Sequence, residues 1–168
     1  EIASAGINRL FTMSVSYRPH SNAVYDYIQY RGRSRHNSKA KCIARHDMRD
    51  MVRTLKKGGL LWYAPDQDYG AKVSQFAPYF GIETATLAMT PKLLKMAKVP
   101  ALTLMYYRLP DFSGYVLDFG GLLEGVPSGD DLADLTVLNQ HIERCVREQP
   151  EEYWWVHRRF KTRPQGQA

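Results

Sequence analysis

The sequence is poor in cysteine and in long hydrophobic stretches. Its 168 residues include two cysteines, Cys42 and Cys145, which lie far apart and match no metal-binding or redox spacing. They indicate a reduced, intracellular pair and argue against a disulfide framework. The longest nearly apolar run, residues 99–107, is about half of the ~20 residues that a membrane-spanning helix requires, and Pro100 and Thr103 interrupt it. We therefore do not expect this chain to cross a bilayer.

The chain also lacks the short motifs that mark several enzyme and binding classes. It contains no Gly-x-x-x-x-Gly-Lys, Gly-x-Gly-x-x-Gly or Gly-x-Ser-x-Gly, so nucleotide binding by a glycine-rich loop and a serine-hydrolase elbow are without support. None of its five histidines lies at the i, i+4 spacing of a helical zinc pair, and no zinc-finger, RNP-type or basic-heptad pattern occurs. Neither a metal nor another cofactor is expected.

Positive charge is the main compositional feature that is present. Hydrophobic residues make up 44% and charged residues 24%, which is typical of a globular chain, and the length predicts one domain over residues 1–168. The formal net charge is +6. Such a balance favours phosphate, nucleic acid, anionic lipid or an acidic carrier protein as partner, without choosing among them.

The apolar periodicity predicts alternating helices and strands. Ser21 is expected to cap one helix, and Asp47 to cap a second that ends at Gly58. The further predictions are a loop-like stretch at 66–78, a buried strand at 60–64, a helix at 84–98 that Pro91 either kinks or breaks in two, strands at 101–107 and 115–119, and a helix at 131–148. This order predicts an α/β fold with a mixed sheet flanked by helices.

An acidic turn follows the first of these strands. It reads Tyr63-Ala-Pro-Asp66-Gln-Asp68-Tyr69-Gly70, and it lies where α/β sheets gather their ligands, beyond the carboxyl end of a strand. Proline, aspartate and glycine are equally typical of a tight turn with no ligand. A metal site is the weaker interpretation, because further oxygen ligands at calcium-loop spacing are missing.

Three basic stretches complete the set of candidates. Arg18 follows a predicted strand and could grip a phosphate, although an exposed arginine before proline is more commonly solvated. Residues 31–41 hold five cations in eleven positions, as in a solvated face or a nucleic-acid patch. Residues 151–164 set two tryptophans beside further cations, which suits nucleic acid, a membrane surface or an acidic protein.

Together and in this order, these stretches resemble the late acyltransferases of lipid A biosynthesis, the lauroyl-transferring type above all. The resemblance rests on Tyr17-Arg18-Pro19, on Leu55-Lys-Lys-Gly-Gly-Leu-Leu-Trp-Tyr-Ala-Pro-Asp-Gln-Asp-Tyr-Gly70, on Phe76-x-Pro78-x-Phe80-Gly81, and on Pro150-Glu-Glu-Tyr-x-Trp-x-His-Arg-Arg-Phe-Lys-Thr-Arg-Pro164. It implies a fold like that of the glycerol-phosphate acyltransferases, with the N-terminal portion absent from this chain.

The resemblance implies an enzyme that moves a fatty acyl group from an acyl carrier protein thioester to a hydroxyl of a lipid A precursor. The acceptor hydroxyl belongs to an acyl chain already attached to the phosphorylated glucosamine disaccharide. The implied location is the cytoplasmic face of the cell inner membrane. Acyl carrier protein, the phosphorylated precursor and an anionic membrane surface are the expected partners, with no nucleic acid. A non-enzymatic basic module that binds nucleic acid is the alternative.

The resemblance also assigns a catalytic carboxylate. The family signature is a histidine followed, after four intervening residues, by Asp or Glu, and the spacing to Tyr17-Arg18-Pro19 makes Glu1 that acidic residue. A neutral imidazole would remove the proton of the acceptor hydroxyl, and the carboxylate would orient the imidazole. The histidine and a membrane anchor would then precede this chain, which is expected to be inactive alone.

Substrate-binding residues follow from the same resemblance. Arg18, Arg31 and Arg35 are expected to contact phosphate or sugar acid, while Asp66 or Asp68 positions basic residues or holds a sugar hydroxyl. Near the C-terminus, the expected outward basic edge consists of His157, Arg158, Arg159, Lys161 and Arg163. Because adjacent helical residues point about 100° apart, one of Trp154 and Trp155 is expected inward and the other toward a membrane interface.

Overall fold

The computed structural model describes residues 2–166, without the side chains of residues 2, 3 and 5. Its helices there are α1 (Ile2–Leu10), α2 (Ala23–Ser34), α3 (Met48–Lys56), α4 (Met89–Ala97) and α5 (Asp131–Glu148). Its strands are β1 (Met13–Tyr17), β2 (Cys42–Ala44), β3 (Leu60–Trp62), β4 (Ser74–Tyr79), β5 (Ile82–Leu87), β6 (Leu102–Arg108) and β7 (Tyr115–Leu122). None of these helices combines the length and the apolar character that a membrane span needs.

The chain divides into two compact units, residues 1–64 and 65–168. The α/β class is confirmed, but the expected single mixed sheet is not found in the described part of the chain. Strand pairing there gives three separate sheets, one of three parallel strands and two antiparallel hairpins. The prediction of one domain over the whole length stays a prediction.

The first unit is built around β1. This strand lies between β2 and β3 in a parallel sheet, with Val15 opposite Cys42 and Met13 opposite Leu60. Met13 and Val15 are buried, as a central parallel strand requires. The predicted strand at 60–64 is confirmed at residues 60–62, but it is an edge strand and Leu60 is exposed rather than buried.

Helix caps in the first unit follow from polar side chains. Asp47 caps α3 as predicted, since its side chain accepts a hydrogen bond from the Asp50 backbone N–H at 3.0 Å. The cap of α2 is Asn22, so the expectation for Ser21 is wrong. The Asn22 side-chain oxygen accepts from the backbone N–H groups of Val24 and Tyr25 at 3.0 and 3.1 Å, which satisfies two donors of the first helical turn.

The second unit packs α5 against the β4–β5 hairpin. Its core is formed by Ala77, Leu123, Leu135 and Leu138. The helix at 131–148 and the two strands near 101–107 and 115–119 are confirmed, with β7 extending to Leu122.

Two predictions for residues 66–98 are wrong. The end of the loop-like stretch is strand β4, and the start of the predicted helix is strand β5, which pairs with β4 from Tyr79 opposite Ile82 onward. Helix α4 starts only at Met89, so Pro91 falls in its first turn. Proline is tolerated there because the backbone N–H groups of a first turn have no helical partner.

The turn between β4 and β5 depends on a glycine. Phe80 and Gly81 have φ angles of 50° and 72°, both left-handed, which matches the tightest hairpin turn. The Glu143 carboxylate holds this turn by accepting the Phe80 N–H at 2.6 Å. Arg147 stacks on the Phe80 ring, 4.8 Å from its centroid.

Replacing Gly81 with alanine is therefore expected to lower the free energy of unfolding by about 1–2 kcal/mol, because a Cβ disfavours the left-handed conformation. Thermal unfolding followed by circular dichroism measures this loss. Gly121→Ala is the matched control, since Gly121 lies in β7 without a left-handed φ and an added Cβ meets no atom within 4 Å. Equal melting temperatures for the two variants would contradict the assignment of the turn.

Candidate functional site

Two motifs that are distant in sequence meet in the second unit, where Asp68 joins the acidic turn to the C-terminal segment. Asp68 is only 6% exposed. One carboxylate oxygen, Oδ1, accepts the Gly70 backbone N–H at 2.8 Å, and the other, Oδ2, accepts the Thr162 backbone N–H at 2.9 Å. Both oxygens are thus engaged by backbone donors. Asp68 is a structural clamp, and its carboxylate is poorly placed to hold a substrate.

His157 completes this clamp from the C-terminal side. Its Nε2 accepts the Asp68 backbone N–H at 2.8 Å, so that nitrogen carries a lone pair and the hydrogen of the neutral ring is assigned to Nδ1. The Trp154 ring stacks on the imidazole with centroids 6.1 Å apart. His157 therefore has a structural bond within the acidic turn instead of forming part of an outward basic edge.

Arg159 is the most deeply buried cation among the described residues. Its side chain is 2% exposed. Nη1 donates to the Ala85 carbonyl at 2.6 Å, Nη2 donates to the Thr86 hydroxyl at 3.0 Å, and the guanidinium lies over the Tyr79 ring at 5.0 Å. Burial lowers the pKa of Arg159, while Tyr153, Tyr79 and the two aspartates of the acidic turn act in the opposite direction. The expectation that Arg159 lies on the outward edge is wrong.

Two tyrosines connect this buried cation to Asp66. Burial raises the pKa of Tyr79 far above its ordinary value, and the hydroxyl of Tyr153 adds to the effect. Burial is also the main cause of the raised pKa of Tyr153, and the Asp66 carboxylate beside its hydroxyl raises it further. Both hydroxyls therefore stay protonated. Tyr153 interacts electrostatically with Tyr79, Arg159 and Asp66, so these four residues form one polar cluster in which Arg159 and Tyr79 are buried and Tyr153 and Asp66 half-buried.

The structure separates the two carboxylates that the sequence left as alternatives. Asp66 is half-buried, and its carboxylate is one of the causes that raise the pKa of Tyr153. Asp68 has both oxygens engaged by backbone N–H groups. Asp66 is thus the member of the pair with oxygens left for a sugar hydroxyl or a basic side chain.

A shallow groove of about 310 Å³ borders this cluster. It is lined by Trp155, His157, Arg158, Arg159, Phe160 and Lys161. Arg158 and Lys161 are exposed, so they are the cations of the groove that an anion can reach.

Both tryptophans of the C-terminal segment are exposed, so the expectation that one of them is inward is wrong. The physical reason is that they lie in turns after the short 3₁₀ helix Pro150–Glu152, not in a continuous helix. The Trp155 indole N–H donates to the Pro150 carbonyl at 2.7 Å, which holds the ring against its own segment.

The predicted arginines of the first unit are exposed, and they lie on two elements. Arg18 directly follows β1 at the carboxyl edge of the parallel sheet. Arg31 lies in the last turn of α2, and Arg35 follows that helix with its Nε donating to His36 at 2.9 Å. Desolvation and the cations Arg9 and Arg35 lower the pKa of His36, which suits its role as acceptor.

Two further arginines contact Tyr17 at the end of β1. Arg45 follows β2 as Arg18 follows β1, and its backbone N–H donates to the Tyr17 carbonyl at 2.8 Å. Arg33 lies over the Tyr17 ring at 5.9 Å. The position of Arg33 could have been predicted from the sequence, since it lies about 200° around the helix from Arg31 and shares a face with Asp26. The position of Arg45 could not, because strand β2, which precedes it, is only three residues long.

Other predicted features are not placed by the structure. Glu1, the expected catalytic carboxylate, lies outside the described residues. Among the residues that are described, no group of three or more His, Cys, Asp and Glu side chains has the arrangement of a metal site.

Comparison of the sequence with known proteins places this chain in a family. The family model described as bacterial lipid A biosynthesis acyltransferase matches residues 7–162. The chain is 43% identical over 157 residues to the lipid A biosynthesis palmitoleoyltransferase of Escherichia coli strain K12, covering 93% of this chain and 50% of that protein. It is 39% identical over 151 residues to the lipid A biosynthesis lauroyltransferase of the same organism, covering 89% and 49%. The chain thus spans about half the length of the curated relatives it matches.

Proposed function

The chain belongs to the bacterial lipid A biosynthesis acyltransferases, and from that premise we propose that its parent protein transfers a fatty acyl group from an acyl carrier protein thioester to a hydroxyl of a phosphorylated lipid A precursor. The observation that carries this proposal is the family match, which extends over residues 7–162 and includes all of the buried cluster around Arg159. Relatives are named for palmitoleoyl and for lauroyl transfer, so the acyl chain moved by this protein is a separate question.

The proposed reaction is an acyl exchange between sulfur and oxygen. The acceptor oxygen attacks the thioester carbonyl carbon, a C–O bond forms, the C–S bond breaks, and the carrier thiol leaves. The proton of the acceptor hydroxyl passes to a general base and from there to the thiolate. We propose that Glu1 orients this base, the imidazole that the family resemblance places five positions ahead of it, and that this chain without the imidazole is inactive.

The remaining roles in the proposal follow from exposure and charge. Arg18, Arg31 and Arg35 are reachable from solvent in the first unit, as a phosphate contact requires. In the second unit, Arg158 in the groove is proposed to attract an anionic group, and Asp66 to hold a sugar hydroxyl or a basic side chain. Arg159 and Asp68 are proposed to shape the site from within, since both are buried and hydrogen-bonded within the protein. No cofactor takes part in this scheme.

The proposed location is the cytoplasmic face of the inner membrane. Exposed Trp154 and Trp155 have the amphipathic rings that favour a membrane–water interface, and exposed Arg158 and Lys161 near them suit anionic head groups. The acidic carrier protein is the proposed acyl donor and suits the net charge of +6. No observation favours the alternative of a nucleic-acid-binding module.

Acyl transfer by the protein as its gene encodes it tests the proposed roles of Glu1 and Arg18. Glu1→Ala is expected to lower kcat by about 10²- to 10⁴-fold, because the base loses its orienting carboxylate. Arg18→Ala is expected to raise KM for the phosphorylated acceptor by about tenfold with kcat nearly unchanged, because it removes a charge-assisted contact made before the chemical step. The assay follows radiolabelled acyl chains from carrier protein to precursor.

Arg53→Ala is the control for Arg18, because Arg53 is an exposed arginine of α3 that pairs with Asp50, three residues earlier in its own helix. It is expected to leave kcat and KM unchanged. An unchanged kcat in the Glu1 variant together with an unchanged KM in the Arg18 variant would refute the assignment of these residues. A wild-type protein that binds RNA in physiological salt but transfers no acyl chain would refute the proposed function itself.

A further inference from the structure

We propose that helix α2 is a membrane-docking element that lies along the headgroup layer of an anionic bilayer. The proposal concerns the first unit, and it depends on the exposure and charge of α2 rather than on the acyl-transfer function. It assigns a role to the apolar residues of α2, which have none in the proposed acyl transfer, and it adds lipid head groups to the phosphate contacts already proposed for Arg31 and Arg35.

The apolar stripe of α2 faces solvent. Val24, Tyr27 and Ile28 follow the i, i+3, i+4 spacing of one helix face, and they are 68%, 63% and 60% exposed. No residue of the twelve in this helix is buried. An amphipathic helix of a globular domain normally turns such a stripe to the core. This stripe is turned outward, so its apolar side chains are available to an external apolar phase.

Cations extend the same stripe toward the C-terminal end of the helix. Arg31 is seven positions after Val24, and Arg35 is eleven, which places both within about 20° of Val24 around the helix axis. Both arginines are exposed. Apolar side chains followed by cations on a single face fit the boundary between acyl chains and anionic head groups.

The negative charge of α2 lies on the other side of the helix. Asp26 is about 200° around the axis from Val24. Its Oδ1 accepts the His20 backbone N–H at 2.8 Å, which holds the carboxylate at the loop before the helix. The docking face therefore meets anionic lipids without a carboxylate between the apolar residues and the head groups.

Tyrosines at the edge of the face favour a lipid surface over an acidic protein. Tyr25 is 51% exposed and flanks the aliphatic pair Val24 and Ile28, and its ring contacts His20 with centroids 4.6 Å apart. Tyrosine has an apolar ring and a polar hydroxyl, a combination enriched at membrane interfaces. An acidic protein helix would complement the two arginines, but it has no apolar surface on which the four neighbouring apolar side chains could pack.

Vesicle co-sedimentation of the 168-residue chain tests the proposal. The probe is vesicles of phosphatidylethanolamine and phosphatidylglycerol, with phosphatidylcholine vesicles as the uncharged comparison. Wild-type chain is expected to bind the anionic vesicles more tightly and to lose affinity as salt is raised. The double variant Val24→Ser/Ile28→Ser is expected to bind about tenfold more weakly or worse, because it removes two insertable side chains.

A charge pair tests the basic end of the face. Arg31→Ser is expected to weaken binding to anionic vesicles by about fivefold, whereas Arg31→Lys keeps the charge and stays near wild type. All of these positions are exposed, so the variants are expected to fold, and far-ultraviolet circular dichroism checks that they do.

An exposed valine outside the two segments proposed to meet the membrane supplies the matched control. Val73→Ser changes a side chain that is 51% exposed in the second unit, and it is expected to leave vesicle affinity within about twofold. Three results would overturn the proposal: equal binding to both kinds of vesicle, an α2 double variant that binds as wild type does, or binding that is lost only through Val73. Capture of α2 by acyl carrier protein without any vesicle binding would overturn it as well, and the acyl-transfer assay reports on function separately.

Discussion

Arg159→Ala is expected to lower the free energy of unfolding by about 3–5 kcal/mol, the largest loss of stability that we predict for a single side chain. The substitution removes both hydrogen bonds of the guanidinium, leaves the Ala85 carbonyl without its donor, and opens a cavity beside the Tyr79 ring. It also removes the cation that faces Asp66 and Asp68. Urea unfolding followed by fluorescence measures the change as a lower midpoint.

Two further variants separate burial from charge. Arg158→Ala removes the neighbouring cation, which is exposed, and it is expected to change stability by no more than about 0.5 kcal/mol. Arg159→Lys keeps the charge but cannot donate in a fork to two acceptors, so an intermediate loss of about 2 kcal/mol is expected. If the alanine variants at 158 and 159 unfolded at the same urea concentration, the buried position of Arg159 would be wrong.

The second large effect distinguishes the two carboxylates of the acidic turn. On the proposed function, Asp66→Asn is expected to lower acyl transfer by about 10²-fold while the fold is kept, because a charge-assisted contact in the site is lost but no backbone donor is orphaned. Asp68→Asn is expected to lower the free energy of unfolding by about 2–3 kcal/mol. Its amide replaces one acceptor of two backbone N–H groups by a donor.

Turnover and melting temperature are measured on both variants, and each variant is expected to change a different one of these two quantities. Asp66→Asn is expected to affect turnover with a nearly unchanged melting temperature, whereas the melting temperature of Asp68→Asn should fall whether or not the protein is an acyltransferase. The reverse pattern, a stable and inactive Asp68→Asn beside an unfolded Asp66→Asn, would exchange the roles of the two residues. Loss of activity in neither variant would leave the acidic turn as structure alone.

Strong local signals made much of the fold predictable. Helices α3 and α5 follow from apolar spacing and from aspartate at or near their N-terminal caps, and β6 follows from its apolar run. The β4–β5 hairpin was missed for physical reasons. Pro78 lies inside β4, where proline normally argues against a strand, and the Phe80-Gly81 turn has phenylalanine where asparagine or aspartate is usual.

The site was only partly predictable, because the chemistry of a residue type does not fix its burial. Arg158 and Arg159 are adjacent residues of the same type. Only packing against the β4–β5 hairpin buries Arg159 at the centre of a cluster, while Arg158 stays exposed. Likewise, Asp66 and Asp68 are equivalent candidates in the sequence, and only the structure shows that Asp68 accepts the backbone N–H of Thr162, 94 residues away. Such long-range bonds leave no periodic trace in a sequence.

The bond between Asp68 and Thr162 has a consequence for biosynthesis. Its donor lies 94 residues after its acceptor, so the acidic turn waits through the synthesis of the intervening chain for the segment that fixes it. Contacts of such long sequence separation close slowly. Native geometry at this turn is therefore reached only after Thr162 has left the ribosome, and a nascent chain halted before Thr162 has an acidic turn that lacks this bond.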